Sequence, residues 1–74
     1  MTDRTIPEGL QILDSEPAEV KNPYTGEAVT LEPDALAVYD MIKGSEAMNY
    51  HEYVREGLDW FRVNEPKAYM VLLD

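Results

Sequence analysis

The pattern of apolar and polar positions along this chain is clearest over residues 49–63, NYHEYVREGLDWFRV. At about 100° per residue, Tyr50, Tyr53, Val54, Gly57, Leu58, Trp60 and Phe61 share one side of a helix. His51, Glu52, Arg55, Glu56, Asp59 and Arg62 take the other, and only Val63 is out of place. A stripe this wide is what a globular helix turns toward a core. Asn49 suits an N-cap, and Glu52 three residues on completes a capping box. Asn64 suits a left-handed C′ position, and Pro66 stops the helix.

A second helical register covers 33–47. Pro33 stands at N1 with acids in the first turn, which suit the macrodipole. Ala35, Val38, Tyr39, Met41 and Ile42 form its apolar face, and Gly44-Ser45 weakens its end. The short link to Asn49 predicts an antiparallel helix pair, Val38, Tyr39 and Ile42 packing on Tyr53, Val54, Leu58 and Phe61. Before the pair, residues 19–31 read as a β-hairpin. Val20, Val29 and Leu31 are its apolar positions and Pro23-Tyr24-Thr25-Gly26 its turn, with Gly26 in the left-handed region. After it, Pro66 opens a short helix over 66–73, with a terminal strand as the alternative, since a short apolar run does not separate the two.

The predicted fold is therefore α+β and mainly helical: a short N-terminal β-hairpin, an antiparallel helix pair and a short C-terminal helix, one domain over 18–74. Residues 1–17 are expected to form a loosely ordered arm, attached through Leu10, Ile12 and Leu13.

Composition narrows the function. With 74 residues and no cysteine, disulfides, thiolate metal sites and cysteine nucleophiles are excluded. A chain this short buries only about 60% of the surface its unfolded form exposes, which makes oligomerisation the expected extra source of stability. Fifteen acids against six bases give a net charge of −9. Eight acids and two bases fall in residues 1–34. Lys and Arg are scattered, which disfavours nucleic-acid binding and anionic membranes. No apolar run approaches a membrane span, and MTDRTIPEGL is not a signal peptide; a soluble cytoplasmic protein is expected.

The best enzyme constellation is His51 with Glu52 or Glu56, yet His51 falls on the polar helical face, where a solvated histidine is the ordinary case. Asp14, Glu16 and Glu19 suggest a calcium loop but lack the glycine and terminal glutamate of one. No phosphate loop, nucleophile elbow or zinc motif occurs. No catalytic, metal or cofactor residue is assigned.

Four positions are candidates for binding a protein partner. Tyr24 would stand at the hairpin tip. Gly57 lies mid-stripe, where glycine costs about 1 kcal/mol against alanine; either another element approaches closely there, or a second chain docks. Trp60 is nearest the stripe's edge and is the aromatic expected to be partly exposed. Tyr69 belongs to the run Tyr69–Leu73, five large apolar side chains that must either cover the aromatic helix or form an interface.

The strings NPYTGEAVTL, AVYDMIKGSEA and GLDWFRVNEPKAYMVLLD resemble small uncharacterised proteins encoded by tailed bacteriophages, over roughly residues 22–74. The resemblance implies a viral protein acting in the cytoplasm of an infected bacterium, and carries over no activity and no site residues. The function expected is a non-enzymatic protein that binds and modulates a bacterial host protein, one version being DNA mimicry by its carboxylates. A homo-oligomeric structural or virion-associated module is the alternative.

Overall fold

The computed structural model describes residues 5–7, 9–13 and 15–73. Strands β1 (Ala18–Lys21) and β2 (Ala28–Leu31) pair antiparallel, Ala18 opposite Leu31 and Val20 opposite Val29. The side-chain period of two puts Val20, Val29 and Leu31 on one face, and Leu31 is fully buried. Asn22 builds the turn. Its Oδ1 accepts from the N–H of Tyr24 at 2.8 Å and of Thr25 at 3.4 Å, an Asx turn. Gly26 sits at φ +80°, the left-handed conformation the turn demands.

Helices α1 (Pro33–Met48) and α2 (His51–Asn64) follow as the expected pair. Pro33 opens α1, and Asp34 accepts the Ala35 N–H at 2.7 Å. The short α3 (Pro66–Ala68) widens into a π-helical turn over Tyr69–Leu73. The C-terminal run is thus helical, not a strand.

Both asparagine caps differ from expectation. Asn49 is not the N-cap of α2 but the left-handed C′ residue of α1, at φ 62°, ψ 33°. The Tyr50 N–H reaches Ser45 O at 2.8 Å and the Asn49 N–H reaches Glu46 O at 3.3 Å. This 6→1 and 5→2 pair is a Schellman motif. Tyr50 becomes the N-cap of α2 and makes no side-chain cap, so the box with Glu52 does not form. Asn64 stays helical, and its side-chain amide donates to Trp60 O at 2.9 Å.

The core lies at one end of the helical hairpin, where the start of α1 meets the end of α2. Leu31, Ala35, Leu36, Val38, Ile42, Trp60, Phe61, Ala68 and Leu72 fill it. Phe61 is the hub. Trp60 meets its ring edge-to-face at 5.2 Å between centroids, and Tyr39 does so at 6.5 Å. Such pairs add roughly 0.5–1.5 kcal/mol beyond area burial.

Ile6 and Leu10 of the preceding arm pack on this core, whereas Ile12 and Leu13 are exposed. The arm's attachment therefore runs through Ile6 and Leu10, not through the Leu10–Leu13 patch. The C-terminal turn is clipped to the hairpin by Asn22 Nδ2, which donates to Val71 O at 2.7 Å.

Candidate functional site

The four sequence candidates fall in different surroundings. Tyr24 projects from the hairpin tip, 94% exposed. Gly57 is buried: a Cβ there would collide with Ile42 Cγ1 and lie 2.8 Å from Ile42 Cδ1 and 3.2 Å from Met41 Cε. Its glycine is required by α1 packing, which removes it from any surface. Trp60, expected at the exposed margin, is only 8% exposed. The arm covers it, and its indole N–H donates to Thr5 O at 2.7 Å. Tyr69 is half-buried, its ring under the Arg62 guanidinium at 5.2 Å. The Tyr69 hydroxyl accepts from Arg62 Nη2 at 3.5 Å, and this contact first, with Asp59 behind it, holds the exposed guanidinium above its ordinary pKa. Arg62 also donates to Asp59 at 3.0 Å.

Elsewhere, three exposed side chains gather at the turn end of the helical hairpin. Tyr50 and Tyr53, assigned by periodicity to the covered stripe, are 50% and 53% exposed, and Met48 is 60% exposed. The tyrosine rings meet edge-to-face at 6.2 Å. Neither the β-hairpin nor the C-terminal turn reaches this end, because both close over the opposite one.

The result is an open groove of about 440 Å³ between the arm, α1 and the first turn of α2. It is lined by Gly9, Leu10, Asp40, Met41, Gly44, Ser45, Met48, Tyr50 and Tyr53. A volume of this order is within the range of ligand sites, about 300–1,000 Å³. Met41, Gly44, Ser45 and Met48 recur at i, i+3, i+4 and i+7 along α1, with Ser45 buried and Gly44 and Met48 exposed. Gly44 is the groove's open floor, since a Cβ there would meet no heavy atom within 4 Å.

Two smaller hollows adjoin the groove. One, about 230 Å³, shares Leu10, Asp40 and Met41 and adds Gln11, Leu13 and Ala37. The other, about 340 Å³, is formed by Tyr50, His51, Glu52 and Tyr53. Asp40 and Glu52 are the carboxylates of this strip, and no Lys or Arg among the described residues lines it. Lys43, nearby on α1, is engaged with Glu46 at 3.5 Å and over the Tyr39 ring at 5.7 Å.

From the sequence Tyr53 reads as core and Gly44 and Met48 carry no binding signal, so none of the three is among the candidates. The usable signal was the α1 stripe itself, which Gly44 and Met48 continue as far as the turn into α2.

His51 is exposed on α2. Asp14 of the acidic trio lies outside the described residues. No group of three or more His, Asp or Glu among the described residues is arranged to hold a metal ion. No helix among them is long and apolar enough to cross a membrane. The chemistry the strip offers is burial of apolar side chains beside carboxylates. No protein family, curated protein or solved structure matches the chain.

Proposed function

We propose that this chain is a small acidic, non-enzymatic protein-binding module. In the phage setting that the sequence resemblance implies, it binds and modulates a protein of the bacterial host, in the host cytoplasm. The observation that carries the reading is the open groove at the turn end of the helical hairpin. Its Tyr50, Tyr53 and Met48 stand exposed together although the chain buries Trp60 and Phe61. Tyrosines in an apolar patch with a polar rim are what interface anchors look like.

DNA mimicry would need a continuous acidic stripe. On the described helices bases are interspersed among the acids, Lys43 pairing with Glu46 and Arg62 with Asp59, so the reading proposed is groove binding in its general form.

The test is affinity capture from bacterial lysate with the wild type, a Tyr50→Ala/Tyr53→Ala variant and Tyr24→Ala. A partner retained by the wild type and Tyr24→Ala but lost by the double variant supports the groove. Retention indifferent to Tyr50 and Tyr53 overturns it. A homo-oligomeric module is the second reading, favoured by the exposed side chains of Val63 and Met70. A monomer in sedimentation at tens of micromolar excludes it.

A further inference from the structure

We infer that the groove receives an amphipathic α-helix of a different protein, one that carries apolar side chains on one face and Lys or Arg beside them. The inference rests on the protein-binding reading above and specifies the partner's chemistry.

Shape is the first argument. From Ala37 to Met48 the strip follows α1 for about 16 Å, three turns at 1.5 Å per residue. That length accommodates anchors at i, i+3 or i+4 and i+7 of a second helix. The groove is made of the faces of α1 and α2 with Gly9 and Leu10 of the arm, and the β1–β2 hairpin, the strand pair among the described residues, lines none of it. An incoming strand finds no strand edge to join there; an incoming helix satisfies its own backbone groups.

The floor is the second argument. Glycine within a helix lowers its stability, and at Gly57 the fold supplies the reason, Ile42. At Gly44 it supplies none, because the space above it is open. A small residue at the floor is what close approach of another helix requires. Around it Met41 and Met48 offer unbranched thioether side chains, which adapt to the anchors of an incoming apolar face.

Charge selects the occupant. Asp40 lies in the groove and in the hollow beside it, Glu52 lies at the tyrosine end, and Lys43 is already engaged. A second copy of this chain would bring another net −9 to the same place. A cationic helix is complementary where a like chain is repelled.

The test uses the full chain, ¹⁵N-labelled, titrated with a peptide of about 18 residues, five helical turns, with Leu at i, i+3, i+4 and i+7 and Lys elsewhere. The controls are a scrambled peptide of the same composition and a version with Glu in place of Lys. The expected result is saturable shifts centred on the amides of Gly44, Met48 and Tyr53, with a Kd of about 1–100 µM. Gly44→Leu places a side chain in open space, so the fold is retained, as circular dichroism checks, while binding weakens about ten-fold or more. Asp40→Asn weakens binding and flattens its salt dependence.

The inference is overturned if the amphipathic peptide does not bind, if either control binds equally well, or if the shifts lie elsewhere. It is also overturned if Gly44→Leu alters sedimentation of the protein alone, which would make the occupant a second copy. Tyrosine-dependent capture of a partner together with failure of the peptide refutes the cationic helix and leaves the protein-binding reading standing. Failure of both removes the two together.

Discussion

Gly57 of α2 and Ile42 of α1 meet where no room remains for a methyl group. Ile42 is fully buried and cannot withdraw. Alanine at 57 would gain about 1 kcal/mol of helix propensity but overpack the core, which costs about 1–3 kcal/mol. Gly57→Ala is therefore expected to lower stability in urea denaturation. Gly44→Ala is the opposite case: with no neighbour to displace, it is expected to raise stability by up to about 1 kcal/mol. The same sign at both positions would refute the packing described for the pair.

Trp60, the chain's single tryptophan, reports on the arm. Its burial depends on Ile6 and Leu10 against the core and on the bond to Thr5 O. Ile6→Ser with Leu10→Ser removes the apolar attachment while leaving both helices intact. The expected outcome is a red-shifted emission and greater acrylamide quenching at unchanged helical circular dichroism. Unchanged emission would mean that other groups shield the indole.

The elements were legible because each carries a local signal. Pro33 and Pro66 mark helix starts, Pro23 to Gly26 a turn, and the 3.6-residue period the two long helices. What the pattern does not encode is position along an axis. Tyr53 and Trp60 are seven residues apart, two turns along one stripe, and periodicity assigns both to the same face. Trp60 is covered by Thr5 and the core, contacts distant in sequence, whereas Tyr53 stands at the end that neither the β-hairpin nor the C-terminal turn closes over. The groove was hidden for the same reason: an uncovered stripe looks like a covered one until its partners are placed. Asn49 was ambiguous chemically, because between two adjoining helices one asparagine suits both the N-cap of the second and the left-handed end of the first.

Asn22 is expected to matter more than its hairpin position suggests. Its Oδ1 holds the turn while its Nδ2 takes the Val71 carbonyl, a helix-end acceptor otherwise in need of a partner. Asn22→Asp keeps the turn acceptor but sets a carboxylate against that carbonyl, and Asn22→Ala removes both functions. Each lost bond is worth about 0.5–1.5 kcal/mol net. Both variants should lower the urea midpoint, and amide exchange should separate them: Asp loosens only the C-terminal turn, Ala the turn and the hairpin together. Equal exchange patterns would show that the Val71 bond contributes nothing to order.

Asn49 allows the two helix-cap roles to be separated by substitution. At φ 62° a residue with a Cβ is disfavoured by about 1–2 kcal/mol, with asparagine the partial exception and glycine free of the cost. Asn49→Gly is thus expected to leave stability unchanged or slightly higher, and Asn49→Ser to lower it along with Asn49→Ala. An N-cap gives another order, since serine there is nearly as good as asparagine. For a domain of this size a loss of about 1 kcal/mol moves the Tm by about 4–8 °C, large enough for a thermal melt to rank the three variants. Glycine at the top with serine near alanine is the signature of the left-handed cap; serine matching the wild type would return Asn49 to the start of α2 and undo the Schellman turn that places Tyr50 and Tyr53 beside the groove.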